Sequence, residues 1–490
     1  MAVAEQDREF TSAPQHIRSA GLALASLSLA TLLSSLGTSI ASVGLPSLMQ
    51  AFDSSFQAVQ WVILAYLLAI TTLIVGAGRL ADMFGRRPLL LGGIALFTLA
   101  SVVCGMAPTL WLLIAARAVQ GLGAALMMAL TLAFVAETVS KERTGSAMGL
   151  LGAMSAIGTT LGPSLGGLLI AGLGWRAIFL VNVPLGLVTF ALAWRALPAR
   201  SRTTETGRGR FDVIGTALLA LTLGAYALAL TLGKGNFGML NLGLLVAAGM
   251  GVIVFAIAQA KAEAPLIRPA SLRGPRLGAG LAMSLIVATV MMATLVVAPF
   301  YLSRGLGLDA TLVGMVLSTG PLVSTLSALL AGRLTDRFGT VRMMAAGLAI
   351  LAAGTFLLSL ALTGLGIASY VVPITVTCFG YALFQTSNNA AVMAGVSANE
   401  RGVVSGLLNL SRNLGLITGA SLMGAIFAVA AGGPQGPDQG VLSAASAARG
   451  MQVTFQTATA LGLCALLLAL MSLRAVSRAE AKVTEIRSGR

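Results

Sequence analysis

Gly78-Arg79-Leu80-Ala81-Asp82-Met83-Phe84-Gly85 recurs as Gly332-Arg333-Leu334-Thr335-Asp336-Arg337-Phe338-Gly339, 254 positions further along a chain of 490 residues. A second echo follows: Gly149, Gly158 and Gly162 are answered by Gly406, Gly415 and Gly419, offset by 257. A nearly constant offset over so much chain indicates two homologous halves. The bland alternative is chance similarity between glycine-rich stretches.

The sequence around these repeats is too apolar for water. Hydrophobic residues make up 57% and charged residues only 10%, whereas soluble domains carry about a quarter charged residues. A helix needs roughly 20 apolar residues to cross about 30 Å of hydrocarbon. Runs of that kind fall near 20–43, 57–79, 88–106, 110–135, 146–170 and 177–196, then near 212–232 and 240–260. Six more fall near 279–302, 312–332, 341–362, 367–395, 403–431 and 454–473. The first repeat joins spans two and three to spans ten and eleven, and the second joins span five to span thirteen. The expected fold is therefore all-α and integral to the membrane: two six-helix bundles with two helices inserted between them. Its parts are a cytoplasmic tail at 1–19, a bundle at 20–196, a cytoplasmic linker at 197–210, the inserted pair at 211–262, a bundle at 263–473 and a second cytoplasmic tail at 474–490.

A net charge of +15 by itself is compatible with a nucleic-acid partner, but the distribution points to a bilayer. With the N-terminus inside, 25 of the 31 lysines and arginines are cytoplasmic. Exterior loops hold Arg176, Lys234, Arg304 and Arg449, and Arg117 and Arg412 lie within spans. This is the positive-inside asymmetry, and it puts both termini in the cytoplasm of a cell with an inner membrane. No cleavable signal is expected, because the first apolar run is too long for a signal core. Cys104, Cys378 and Cys464 all fall in apolar spans, so neither a disulfide framework nor a metal site follows, and no cofactor is expected.

Here the chain resembles the major facilitator superfamily, in its fourteen-span drug:proton antiporter branch, from about residue 36 to 473. Gly78 to Arg87, with Asp82, Gly85, Arg86 and Arg87, match the loop motif between spans two and three. Arg117, Gln120, Gly121 and Gly123 match the span-four motif. Gly158, Gly162, Pro163, Gly166 and Gly167 match the span-five antiporter motif, and residues 175–184 are close to a stretch typical of fourteen-span members. The resemblance implies an alternating-access transporter of small molecules, with a site at the interface of its parallel repeats. No partner but substrate and lipid is implied, and a monomer is expected.

Each motif also has a direct physical reading. Asp82 with Arg86 and Arg87 can clamp a cytoplasmic gate, or simply orient the loop. The second copy (Gly332, Asp336, Gly339) has Thr340 and Val341 where the basic pair would be, so its clamp should be looser. Arg117 within span four costs roughly 2.5–3.5 kcal/mol on insertion scales, so it should face a cavity or a partner. It is read either as a proton-coupling or substrate contact, or as a structural arginine bonded to backbone carbonyls and Gln120. Arg412 either lines the inner cavity or snorkels to the interface. Gly158, Gly162 and Gly166 recur every fourth residue, leaving one helix face bare for close approach, and Pro163 adds a kink. Cavity candidates are Ser39, Ser42, Tyr66, Met291, Tyr301, Gln385, Asn388, Asn389 and Asn409, with Ser387 in the same polar run.

One departure stands out. The family branch carries a span-one aspartate in a motif ending Leu-Pro; in Leu36 to Pro46 that position is Gly37, and Ser42 replaces the usual asparagine. No carboxylate is expected at mid-membrane, and the single histidine, His16, lies in the tail. Proton coupling then needs an inner-mouth group such as Asp82 or Glu137, and an uncoupled facilitator or lipid translocator is the alternative. An enzyme is excluded on local grounds: Gly162-Pro163-Ser164-Leu165-Gly166 fits the G-x-S-x-G pattern, but lies mid-span without a strand-to-helix turn or a nearby histidine.

Overall fold

The computed structural model describes residues 13–74, 76–138, 144–197, 212–232, 238–262, 275–360, 363–394, 401–432 and 443–488. The side chains of Asp82 and Glu137 and nearly all of the 197–210 linker lie outside the described residues. Among the described residues, fourteen helices are long and apolar enough to cross a bilayer. The first six are α1 (Gly21–Val43), α2 (Phe56–Ile74), α3 (Arg86–Met106), α4 (Leu110–Val135), α5 (Leu150–Leu173) and α6 (Ala177–Ala196). Then come α7 (Val213–Thr231) and α8 (Met239–Lys261). The last six are α9 (Leu277–Gly305), α10 (Ala310–Phe338), α11 (Thr340–Ser359), α12 (Ala368–Met393), α13 (Gly406–Ala430) and α14 (Ala444–Ser472). The expected spans are all present. Helix α14 starts about ten residues before the apolar run does, because its first turns pack on α13: a Cβ at Gly450 would lie 2.6 Å from the Phe427 ring.

The duplication read from the sequence is a duplication of contacts. In the first bundle α1 packs on α5 and α6, while α4 packs on α2 and α3. The second repeats the scheme eight helices later: α9 on α13 and α14, α12 on α10 and α11. The glycine ending each copy of the loop motif has a backbone reason. Gly85 (φ 86, ψ 141) and Gly339 (φ 89, ψ 148) each reverse the chain between two helices with a single residue, in a region closed to side chains bearing a Cβ. These two turns mark one end of the molecule, here called the motif end.

The bundles meet at the opposite, far end. There α5 crosses α10, and α2 meets α13. A plug of Phe56, Phe300 and Phe427 spans the seam, with ring centroids 4.8 to 6.0 Å apart in tilted and edge-on pairs suited to aromatic quadrupoles. Helix α7 covers the flank of the α2–α13 seam, where the Trp61 indole donates to the Thr231 hydroxyl at 3.1 Å. Helix α8 packs on α7 and exposes Leu242, Val246, Met250, Val254 and Ile257. In water that face would be a liability, but lipid tails are as apolar as these side chains. The chain is a multi-pass membrane protein.

Candidate functional site

Arg117 is fully buried at the centre of the first bundle. Its Nε donates to the Val62 carbonyl on α2 at 2.9 Å, Nη2 to the Gly37 carbonyl on α1 at 3.0 Å, and Nη1 to Gln120 Oε1 at 2.6 Å. Gln120 passes the connection on, donating to the Ser101 hydroxyl on α3 at 2.7 Å. The guanidinium carbon sits 4.1 Å from the Tyr66 ring centroid and 5.8 Å from that of Phe179 on α6. Carbonyl dipoles and an aromatic face thus hold the cation that a carboxylate would otherwise neutralise. Arg117 ties four helices together, and Gln120 adds the fifth.

The same geometry explains what replaces the missing aspartate. A Cβ at Gly37 would lie 3.0 Å from the Tyr66 hydroxyl and 3.1 Å from the Phe97 ring. Tyr66 holds that space by donating to the Ser34 carbonyl at 2.9 Å. Gly37 therefore serves Arg117 through its backbone oxygen. Gly37→Ala is expected to destabilise the protein by about 1–3 kcal/mol through overpacking, and adding Tyr66→Phe should recover part of that loss. A double-variant cycle on thermal unfolding in detergent checks this.

The span-five glycines serve two different interfaces. On one side, a Cβ at Gly158 would lie 2.6 Å from the Leu32 carbonyl oxygen, one at Gly162 would meet Ser39, and one at Gly166 would lie 2.7 Å from Val43. Ser39 seals this α1–α5 crossing, its hydroxyl donating to the Gly158 carbonyl at 3.2 Å. The second bundle repeats the device: Gly415 and Gly419 face α9, and Thr289 donates to the Gly415 carbonyl at 3.1 Å. Gly167 looks the other way. A Cβ there would lie 3.2 Å from the Gly314 Cα and still closer to the Ala310 carbonyl, while one at Gly314 would meet the Pro163 carbonyl. This glycine pair belongs to opposite bundles and lets α5 and α10 touch backbone to backbone.

At the motif end, Arg87 Nη2 donates to the Trp194 carbonyl at 2.6 Å and its guanidinium lies 5.5 Å from the Trp194 ring centroid. A cation on the last turn of α6 offsets the negative end of the helix dipole. In the second copy Asp336 is exposed and Arg337 lies 5.2 Å from the Phe338 ring centroid. A Cβ at Gly78 or at Gly332 would meet nothing within 4 Å.

The remaining candidates divide. Tyr301 is buried, its hydroxyl 3.1 Å from that of Ser369, and Ser42 donates to Ser39 within its own helix. On α12 Ser387 turns to Thr335 of α10 at 2.8 Å, and Asn388 donates to the Gly280 carbonyl on α9 at 3.3 Å. Gly347 of α11 backs onto Phe384. This leaves Gln385 and Asn389 half-exposed one turn apart, their amides 3.5 Å from each other. Met291 is half-buried on α9. On α13, Asn409 falls within about 20° of Ala420, at 100° per residue, and Ala420 faces the first bundle. Arg412 is exposed, about 80° from that line.

Two residues escaped the sequence reading. Asn413 is half-buried on the same α13 face as Asn409. Gln60 of α2 is fully buried and donates across the seam to the Ala420 carbonyl. Ala420 lies in a π-helical turn, Gly419–Met423, whose wider winding leaves α-helical pairing locally broken. No sequence pattern marks that partner.

The arrangement suits binding and rocking rather than bond chemistry: rigid bundles, a glycine seam and half-exposed amides on α12 and α13. The family model described as "Major Facilitator Superfamily" matches residues 27–420 and 280–489. The chain is 30% identical over 384 residues to the "Uncharacterized transporter YebQ" of Escherichia coli, covering 77% of this chain and 83% of that one. It is also 30% identical over 395 residues to the "Multidrug resistance protein Stp" of Mycobacterium tuberculosis, covering 78% and 71%. Its fold matches a solved bacterial homolog of the human lysosomal transporter Spinster in an inward-facing, unoccupied conformation. There the TM-score is 0.69 and the identity 16%, over 94% of this chain and 98% of that one. The chain belongs to the Major Facilitator Superfamily and is a membrane transporter, not an enzyme.

Proposed function

We propose that this transporter exports small lipophilic compounds across the cytoplasmic membrane by alternating access, as a monomer driven by proton antiport. One observation carries the reading: the bundles are joined at the far end by bare glycines and an aromatic plug, while half-exposed amides lie on α12 and α13. The distribution of 25 of 31 cations supports a cytoplasmic motif end and cytoplasmic termini, which makes this an inward-facing state. The name of the Stp relative supports the compound class. Neutral and anionic lipophiles fit best, because amides and the exposed Arg412 supply the polar contacts. The motif-end pair of Asp82 with Arg86 and Arg87 is read as the cytoplasmic gate, with Asp336 as its looser counterpart.

A second reading, an uncoupled facilitator or lipid translocator, draws on Gly37. Where the family branch carries an aspartate, this chain offers Arg117 a backbone carbonyl. Proteoliposomes carrying an internal pH dye separate the two. Antiport requires proton counterflow in step with movement of a lipophilic dye; facilitation moves the dye down its gradient with no proton flux. No dye movement under any gradient would remove both. In the same assay, Gln385→Ala with Asn389→Ala is expected to raise the half-saturating concentration roughly tenfold, the equivalent of one or two lost hydrogen bonds. Its maximal rate should change little.

A further inference from the structure

A recess of about 240 Å³ opens on the far-end seam, walled by both bundles. The first contributes Ser47 and Gln50, just past the end of α1; the second contributes Ser303 and Arg304 from the last turn of α9. That turn is also π-helical, Tyr301–Gly305. The Ser303 hydroxyl is buried without a hydrogen-bond partner. Among the described residues the half-buried Arg304 guanidinium also has no hydrogen-bond or ion-pair partner, and no carboxylate lines the recess. A buried hydroxyl without a partner is costly, and the half-buried Arg304, with no carboxylate in the lining, gives the hollow a positive charge.

From this geometry we infer that the recess binds one phosphate-type oxyanion, held between the bundles by Arg304 and Ser303 on one side and Ser47 and Gln50 on the other. A guanidinium offers a planar fork to such an oxyanion, and hydroxyls and an amide supply further donors. The volume falls below the roughly 300–1,000 Å³ of pockets for drug-sized ligands, so this is a separate site and does not depend on the export reading. It lies where α1 and α9 end and α10 begins, the depth of the bilayer interface, within reach of a phospholipid phosphate as well as a dissolved one. Because both bundles wall it, an occupant favours the state in which the far end is closed.

The test uses the purified full-length chain in detergent, following its thermal unfolding midpoint. Short-chain phosphatidylglycerol and inorganic phosphate are titrated separately, against sodium chloride of matched ionic strength. A saturable rise in midpoint is expected with at least one of the two, and which one acts identifies the source of the phosphate. Arg304→Gln should weaken the half-saturating concentration about tenfold or more, the loss of a charge-assisted hydrogen bond; Arg304→Lys should keep part of the response. Arg449→Gln, which removes another exposed arginine outside this recess, should leave it intact. The assignment is overturned if neither anion shifts the wild-type midpoint, if Arg304→Gln responds like wild type, or if Arg449→Gln loses as much.

Discussion

Replacing Arg117 by alanine is expected to abolish transport and to lower the unfolding midpoint more than any other single polar change in the first bundle. Three acceptors on α1, α2 and α4 lose their donor at once: the Gly37 and Val62 carbonyls and Gln120 Oε1. The two carbonyls keep their in-helix N–H partners, but Gln120 Oε1 is left unsatisfied at a cost of roughly 1–3 kcal/mol, and a void opens beside Tyr66 and Phe179. Lysine should rescue little, because one compact ammonium cannot reach acceptors that the guanidinium meets through three separate nitrogens. Thermal unfolding in detergent and dye efflux from vesicles read the two consequences separately. An alanine variant that folds normally but has lost transport would favour a direct part in coupling. One that keeps both would leave Arg117 without the role its burial suggests.

Gly167→Leu should act on function with less effect on folding. Its side chain would be driven into the Ala310 carbonyl and the Gly314 backbone, which belong to the opposite bundle. The crossing within the first bundle uses Gly158, Gly162 and Gly166 on another face and is left untouched. The far end then cannot close as it does here, and the transporter should be held with that end open. Transport is expected to fall by about a hundredfold or more, since a backbone-to-backbone contact leaves no slack for four added carbons. In a cysteine-free background, a Ser47→Cys reporter at the seam should become faster to modify with a membrane-impermeant maleimide. Gly162→Leu is the contrasting case: it wedges apart α1 and α5 inside one bundle and should reduce the amount of folded protein. If Gly167→Leu left both transport and maleimide reactivity at wild-type values, the α5–α10 crossing would not be the moving seam.

The candidate site was legible in unequal parts. Arg117 and Gln120 are conspicuous because a charge within a span is costly, and the two readings they permit differ only in what surrounds them. The polar run on α12 is also conspicuous. Its four members look alike in sequence, yet Ser387 and Asn388 are spent on α10 and α9 while Gln385 and Asn389 remain half-exposed. The sequence marks Tyr301 as a cavity candidate; the structure adds a partner for its hydroxyl, 3.1 Å from that of Ser369. Gln60 and Asn413 drew no notice, because a lone amide in a span carries no pattern of its own.

Span number, duplication, the two bundles and the inserted pair follow from the sequence alone. Crossing a bilayer imposes a local demand, about 20 apolar residues without a break, and a reversal by one residue demands a glycine such as Gly85 or Gly339. Local demands leave local marks. Only the tertiary structure decided that Gly167 faces the other bundle while Gly166 faces its own, that Tyr66 fills the space an aspartate would take, and that Gln60 meets the Ala420 carbonyl at a π turn. Those contacts join helices far apart in the chain, and their energies depend on angles and separations between helices that no stretch of residues encodes by itself.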